Sequence, residues 1–110
     1  MKNEPKIKVA SKVLVGQSEI MYLESAWNYT CVHTVNKQLV SSRTLKIFSN
    51  RIDHNAFIKI SRGLMINISF IDDVNAERKY PFVQLKNGKI LPISRRMYNE
   101  VIDSLERINS

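Results

Sequence analysis

The chain has 110 residues, of which 44% are hydrophobic: enough to bury the core of one domain, too few for two, and too apolar for disorder. A formal net charge of +7 favours an anionic partner, and a single cysteine rules out an intrachain disulfide framework. No apolar run approaches the roughly 18–20 residues that cross a bilayer, and the polar start MKNEPKIKVA lacks the apolar stretch of a signal peptide, so a soluble, cytoplasmic protein with no membrane partner is expected.

Residues 1–5 read as a flexible arm and 6–110 as one domain. In KIKVASKVLV, Ile7, Val9, Val13 and Val15 recur with period two and predict strand. Gly16-Gln17-Ser18 is a turn. EIMYLES follows as a strand that is apolar on both sides for most of its length. AWN breaks it, and YTCVHTV is rich in β-branched and aromatic strand formers. Asn36-Lys37 reads as a hairpin tip from which QLVS returns. The period then changes: Ser42 can cap a short helix whose apolar stripe is Leu45, Phe48 and Ile52. RIDHNA is turn, FIKI a short strand, SRG a break at Gly63, and LMINISFIDDV mostly strand with room for one turn at its start. AERK is a polar loop. In YPFVQLK, Pro81 marks an edge strand or the beginning of a strand. Asn87-Gly88 is a type I′ hairpin signal, and KILPI pairs back. Ser94 then caps a last helix striped by Met97, Val101, Leu105 and Ile108. The lack of βαβ alternation argues against a parallel sheet. There is neither a GxGxxG nor a GxxxxGK[ST] phosphate loop.

Charge along the chain is grouped. Lys37, Arg43, Lys46, Arg51, Lys59 and Arg62 have only Asp53 among them, and Arg78, Lys79, Lys86, Lys89, Arg95 and Arg96 run with no acid between them. Such grouping suits a nucleic-acid face. Catalytic constellations are poor. Cys31 and His33 share a strand face but lack a third partner, and Asp72 and Asp73 point to opposite faces of a strand. Cys31, His33 and His54 do not complete a zinc set. No enzyme, metal or cofactor is expected. Three breaks instead carry recognition chemistry. Asn28, Tyr29 and Thr30 follow AWN, Arg62 stands beside Gly63, and Arg95 and Arg96 open the last helix, where a cation is locally unfavourable and so points to function. Arginine can fork two hydrogen bonds onto guanine O6 and N7. Trp27 and Tyr29 could stack on bases, but Tyr22, Phe48, Phe57, Phe70 and Phe82 follow core patterns and no RNP-type run is present, so duplex DNA is favoured over RNA.

EIMYLESAWNYTCVHT, SSRTLKIF, FIKISRGLMINISFI and VQLKNGKILPISRRMYNEV, in this order and spacing, resemble the LytTR family of bacterial DNA-binding domains over roughly Lys6 to Leu105. The resemblance implies a mainly β fold, elongated and antiparallel, of several small sheets with a short internal helix and a C-terminal helix. It also implies a response regulator output domain that binds duplex DNA for transcription regulation. Loops would enter two successive major grooves and lie along the intervening minor groove. By position, Thr30 would face one major groove with Asn28 and Tyr29 close by, Arg62 the minor groove, and Arg95 the other major groove. Lys37, Lys59 and Arg96 are expected phosphate contacts from charge and loop placement. Two protomers on direct repeats are the expected assembly. Where the family block reads His-Arg-Ser, this chain has Ser61-Arg62-Gly63. That departure motivates an alternative, a protein-interaction module that modulates another regulator with weak or no DNA binding. Asn67 falls on the family asparagine and reads as a structural residue that bonds backbone. LytTR domains usually follow a receiver domain, which this chain lacks, so it is a free-standing regulator or a fragment of a longer protein.

Overall fold

The computed structural model describes residues 4–108. These contain ten strands and two α-helices. The strands are β1 (Lys6–Ala10), β2 (Val13–Gly16), β3 (Ile20–Ala26), β4 (Tyr29–Thr34), β5 (Gln38–Ser41), β6 (Phe57–Ser61), β7 (Leu64–Asn67), β8 (Ile71–Asn75), β9 (Phe82–Leu85) and β10 (Ile90–Pro92). The helices are α1 (Leu45–Ser49) and α2 (Tyr98–Ile108). All strand pairs are antiparallel. They form a two-stranded sheet β1-β2, a five-stranded sheet β5-β4-β3-β7-β6 and a three-stranded sheet β10-β9-β8.

The five-stranded sheet is the middle layer because its strands are apolar on both faces. Val32, Leu23 and Met65 lie in register across one face and pack against Ile7, Val9 and Val15 of the β1–β2 hairpin and Leu45 and Phe48 of α1. Tyr22 and Ile66 lie in register on the other face and pack against Val83, Leu85, Leu91 and Ile93 and against Val101 and Leu105 of α2. The alternation of side chains along a strand sends neighbours such as Tyr22 and Leu23 into separate cores.

Several local expectations change in the folded chain. The run at Ile7–Val15 is a hairpin that turns at Ser11-Lys12 rather than one strand, and Val13 is left exposed. The cap of α1 is Thr44, whose side chain accepts from the Ile47 N–H, and not Ser42; Leu45, Phe48 and Ile52 are all buried as the stripe predicts. The LMINISFIDDV run changes sheet: a 3-10 turn at Ile68–Phe70 carries the chain from β7 to β8. Asn67 builds that turn. Its buried side chain accepts from the Ser69 N–H at 3.0 Å and donates to the Ile20 carbonyl at 2.9 Å. In the β9–β10 hairpin only Gly88 has a positive φ, +91°, and its N–H donates to the Leu85 carbonyl. This is the three-residue loop with glycine at the left-handed position, not a type I′ turn. Ser94 does not start the last helix, which begins at Tyr98. The carbonyls of Ser94 and Arg95 accept from Met97 and Tyr98 in a separate turn before it. Of the expected arm, residues 1–3 lie outside the described residues. Glu4 and Pro5 are tied down, the first accepting from the Ser18 N–H and the second from the Gln17 N–H.

Asn67→Ala removes the side-chain hydrogen bonds to Ile20 and to the Ser69 N–H and hydroxyl from a buried junction between two sheets. It is expected to destabilise the domain by about 2–4 kcal/mol, read as a lower midpoint of urea unfolding; an unchanged midpoint would show that Asn67 does not hold the junction.

Candidate nucleic-acid interface

The register of the five-stranded sheet places the end of β3, the start of β4, the end of β5, the end of β6 and the start of β7 at one edge. Short-range bonds tie the connecting segments together there. The Ser25 N–H donates to the Gly63 carbonyl at 2.8 Å, joining the β3–β4 and β6–β7 turns. The Ser94 N–H donates to the Ile60 carbonyl at 2.9 Å, joining the turn before α2 to the end of β6. The Thr30 hydroxyl donates to the Arg43 carbonyl at 2.7 Å, and Arg43 Nη1 donates to the Val9 carbonyl at 3.1 Å. The 76–80 loop is drawn in by the Tyr98 hydroxyl, which donates to the Ala76 carbonyl. The sequence order of the strands therefore becomes a spatial order of loops: Trp27-Asn28, then Arg62, then Arg95-Arg96.

Asn28, Tyr29, Arg62, Arg95, Arg96 and Lys59 are exposed. Arg62, Arg95, Arg96 and Lys59 make no ion pair among the described residues. Their charges are thus available to an outside anion. Two expected residues are placed differently. Thr30 is fully buried with its hydroxyl committed to Arg43, so it presents no atom to a partner and serves to seat the Arg43 segment. Lys37 lies at the β4–β5 tip, where its N–H bonds the Thr34 hydroxyl, and the length of β4 separates it from the other loops by about 17 Å at ~3.3 Å per residue.

Arg78 and Lys79, in the 76–80 loop, are contributors that motif reasoning missed. With Arg95 and Tyr98 they line a concavity of about 360 Å³. Arg78 sits 4.8 Å above the Tyr98 ring and donates to Asn99 Oδ1 at 3.2 Å, so its guanidinium is held in place. The acid-free charge run that begins at Arg78 was the available signal. Gly63 is where it is for space, not for φ: a Cβ there would stand 3.3 Å from the Ser25 Cβ. Ser61 Oγ accepts from the Gly63 N–H at 3.3 Å. The departure from the family block thus produces a compact, internally bonded turn that leaves Arg62 outside.

The β3–β4 turn has two loop residues, Trp27 and Asn28, between the paired Ala26 and Tyr29. Both favoured turn types for such a loop need a positive φ at the first position, normally taken by Gly or Asn. Trp27 has φ +59° and is 97% exposed, a conformation that costs a side-chain-bearing residue roughly 1–2 kcal/mol.

Cys31 and His33 share a half-buried face, as expected, but His33 is occupied otherwise. Its Nε2 lies 3.1 Å from Glu24 Oε1 and its ring stacks on Tyr22 at 4.0 Å. Burial pushes the Tyr22 phenol up from its ordinary value, with the charges of Glu24 and Cys31 acting the same way. His33 is therefore a packing and hydrogen-bonding residue rather than the base for a thiol.

A flat β domain with short basic loops gathered at one end of its sheet presents the cationic face that a nucleic-acid-binding protein needs. The comparisons agree. The family model described as the LytTr DNA-binding domain matches residues 10–106, and the chain belongs to that family. The family is a regulatory, non-enzymatic one that binds DNA. Among solved structures, the chain is similar to the LytTr DNA-binding domain of a Bacillus cereus protein described as a methyl-accepting/DNA response regulator. They share 20% identity and a TM-score of 0.79, over 94% of this chain and 97% of that one. None of the curated proteins compared with the chain matches it. No helix of the described residues is long and apolar enough to cross a membrane.

Thr30→Val keeps the volume but strands the Arg43 carbonyl. It is expected to cost about 1–3 kcal/mol of stability, measured by urea unfolding. A variant as stable as the parent would remove Thr30 from its seating role.

Proposed function

We propose that this domain regulates transcription by binding specific duplex DNA along its loop edge. The observation that carries this reading is the order of the loops: Arg62 lies between Trp27-Asn28 on one side and Arg95-Arg96 on the other, on segments bonded to one another. Two outer loops with a cation between them match two major grooves flanking a minor groove. The body measures 42 Å in its longest dimension, more than the roughly 34 Å of one helical turn of DNA. Arg95 reads guanine in one major groove, Asn28 contacts a base edge in the other, and Arg62 enters the minor groove, where arginine is favoured by the negative potential. Lys59, Arg96, Arg78 and Lys79 contact phosphates, and Tyr29 lies beside the backbone. Thr30 acts from inside by seating the loop. Two protomers bind direct repeats. The compact Ser61–Gly63 turn, with Arg62 exposed, favours DNA over the protein-interaction reading.

Arg95→Ala is expected to cost about 1–3 kcal/mol on a duplex recovered by selection and to relax preference at one base pair. Equal losses on selected and random duplexes would remove the base-reading role. Lys59→Ala is expected to weaken binding to all sequences and to flatten the slope of log K against log salt by roughly one unit. Lys37→Ala, remote from the edge, is expected to leave that slope unchanged, and a Lys37 effect equal to that of Lys59 would show that the DNA path reaches the opposite end of the sheet. Binding to every duplex that is insensitive to salt would overturn the whole reading.

A further inference from the structure

We infer that Trp27 is a DNA-contacting residue that packs its indole against a thymine methyl group in the major groove entered by the β3–β4 turn. This rests on the DNA-binding reading above and adds to it a residue and a chemistry. Three observations converge on it. The side chain is 97% exposed, so the indole gains almost nothing from the domain's own core. Its backbone is left-handed, φ +59°, at the one loop position where glycine or asparagine would relieve strain. A bulky aromatic held in that conformation without internal packing is stored strain of the kind that marks functional sites. Finally, the turn is bonded through Ser25 to the Arg62 turn, and its other loop residue is Asn28, so the indole projects from the cationic edge and beside a base-reading side chain.

The partner follows from what a duplex exposes. An indole gains by burial only against apolar surface or by stacking. Stacking on a base would require unstacking a base step, which costs a few kcal/mol. The thymine C5-methyl is the apolar group that the major groove presents without any distortion. Trp27 therefore adds a preference for thymine that neither Asn28 nor the arginines can supply.

Trp27 is the sole tryptophan, so its fluorescence reports this contact alone. DNA binding is followed in parallel by the anisotropy of a labelled duplex recovered by selection from a random-sequence pool. When the duplex binds, the Trp27 emission is expected to change and its quenching by acrylamide to fall. Trp27→Gly and Trp27→Asn are expected to raise the midpoint of thermal unfolding, because the strain is relieved, yet to weaken DNA binding by about ten-fold or more, the value of burying a large apolar side chain. Replacing thymine by deoxyuridine throughout the duplex removes each methyl. It is expected to weaken the parent protein about four-fold per contacted methyl and to leave both variants unaffected. Binding by anisotropy with no change in Trp27 emission or quenching would overturn the inference while leaving the DNA-binding reading intact. So would variants that bind as tightly as the parent, or an equal loss with deoxyuridine in parent and variants. No binding to any duplex would overturn both.

Discussion

The structure depends on one strand that has no polar face. In β3, Tyr22 and Leu23 are consecutive and both buried, so alternation commits the strand to apolar cover above and below. An antiparallel sheet with one wet face cannot hold such a strand, and the five-stranded sheet becomes an interior layer. The β1–β2 hairpin and α1 supply one cover, and the three-stranded sheet with α2 supplies the other. Both faces of the middle of the sheet are then closed to a ligand, and recognition is left to its edges.

That constraint explains why the candidate interface is made of turns. Hairpin turns at one end of a buried sheet are short, and their ends are set by ladder hydrogen bonds. Here they are also cross-linked by Ser25–Gly63 and Ile60–Ser94. Arg62 and Arg95 are thus carried by backbone whose position follows from the sheet, which reduces the ordering that binding must impose. Fixed charges on a rigid edge suit a ligand that is itself a regular rod of charge. Strain at Trp27 and the uncommitted arginines are the features that stability alone does not explain, and they lie on this edge.

Much of the fold is legible from local pattern. Period-two runs located β3, β4, β6 and β9, the stripe Leu45–Phe48–Ile52 located α1, and the last helix followed from Val101 and Leu105. The misreadings share a cause. The Ser11-Lys12 turn, the passage between sheets at Ile68–Phe70 and the loop at Gly88 lie inside or beside apolar runs, and their conformations are decided by side-chain-to-backbone bonds such as those of Asn67 or by packing on a distant layer. Periodicity does not register such bonds.

The amino-acid sequence by itself determined the mainly antiparallel β class, the cationic character, the family resemblance and the exposed arginines at 62, 95 and 96, because these depend on composition, period and local turn chemistry. Only the tertiary structure decided which turns share an edge. It buried Thr30, sent Lys37 to the far end of the sheet, and brought Arg78 and Lys79 beside Arg95. Those outcomes rest on strand register and on contacts between residues distant in the chain, and a residue's neighbours in sequence carry no record of them.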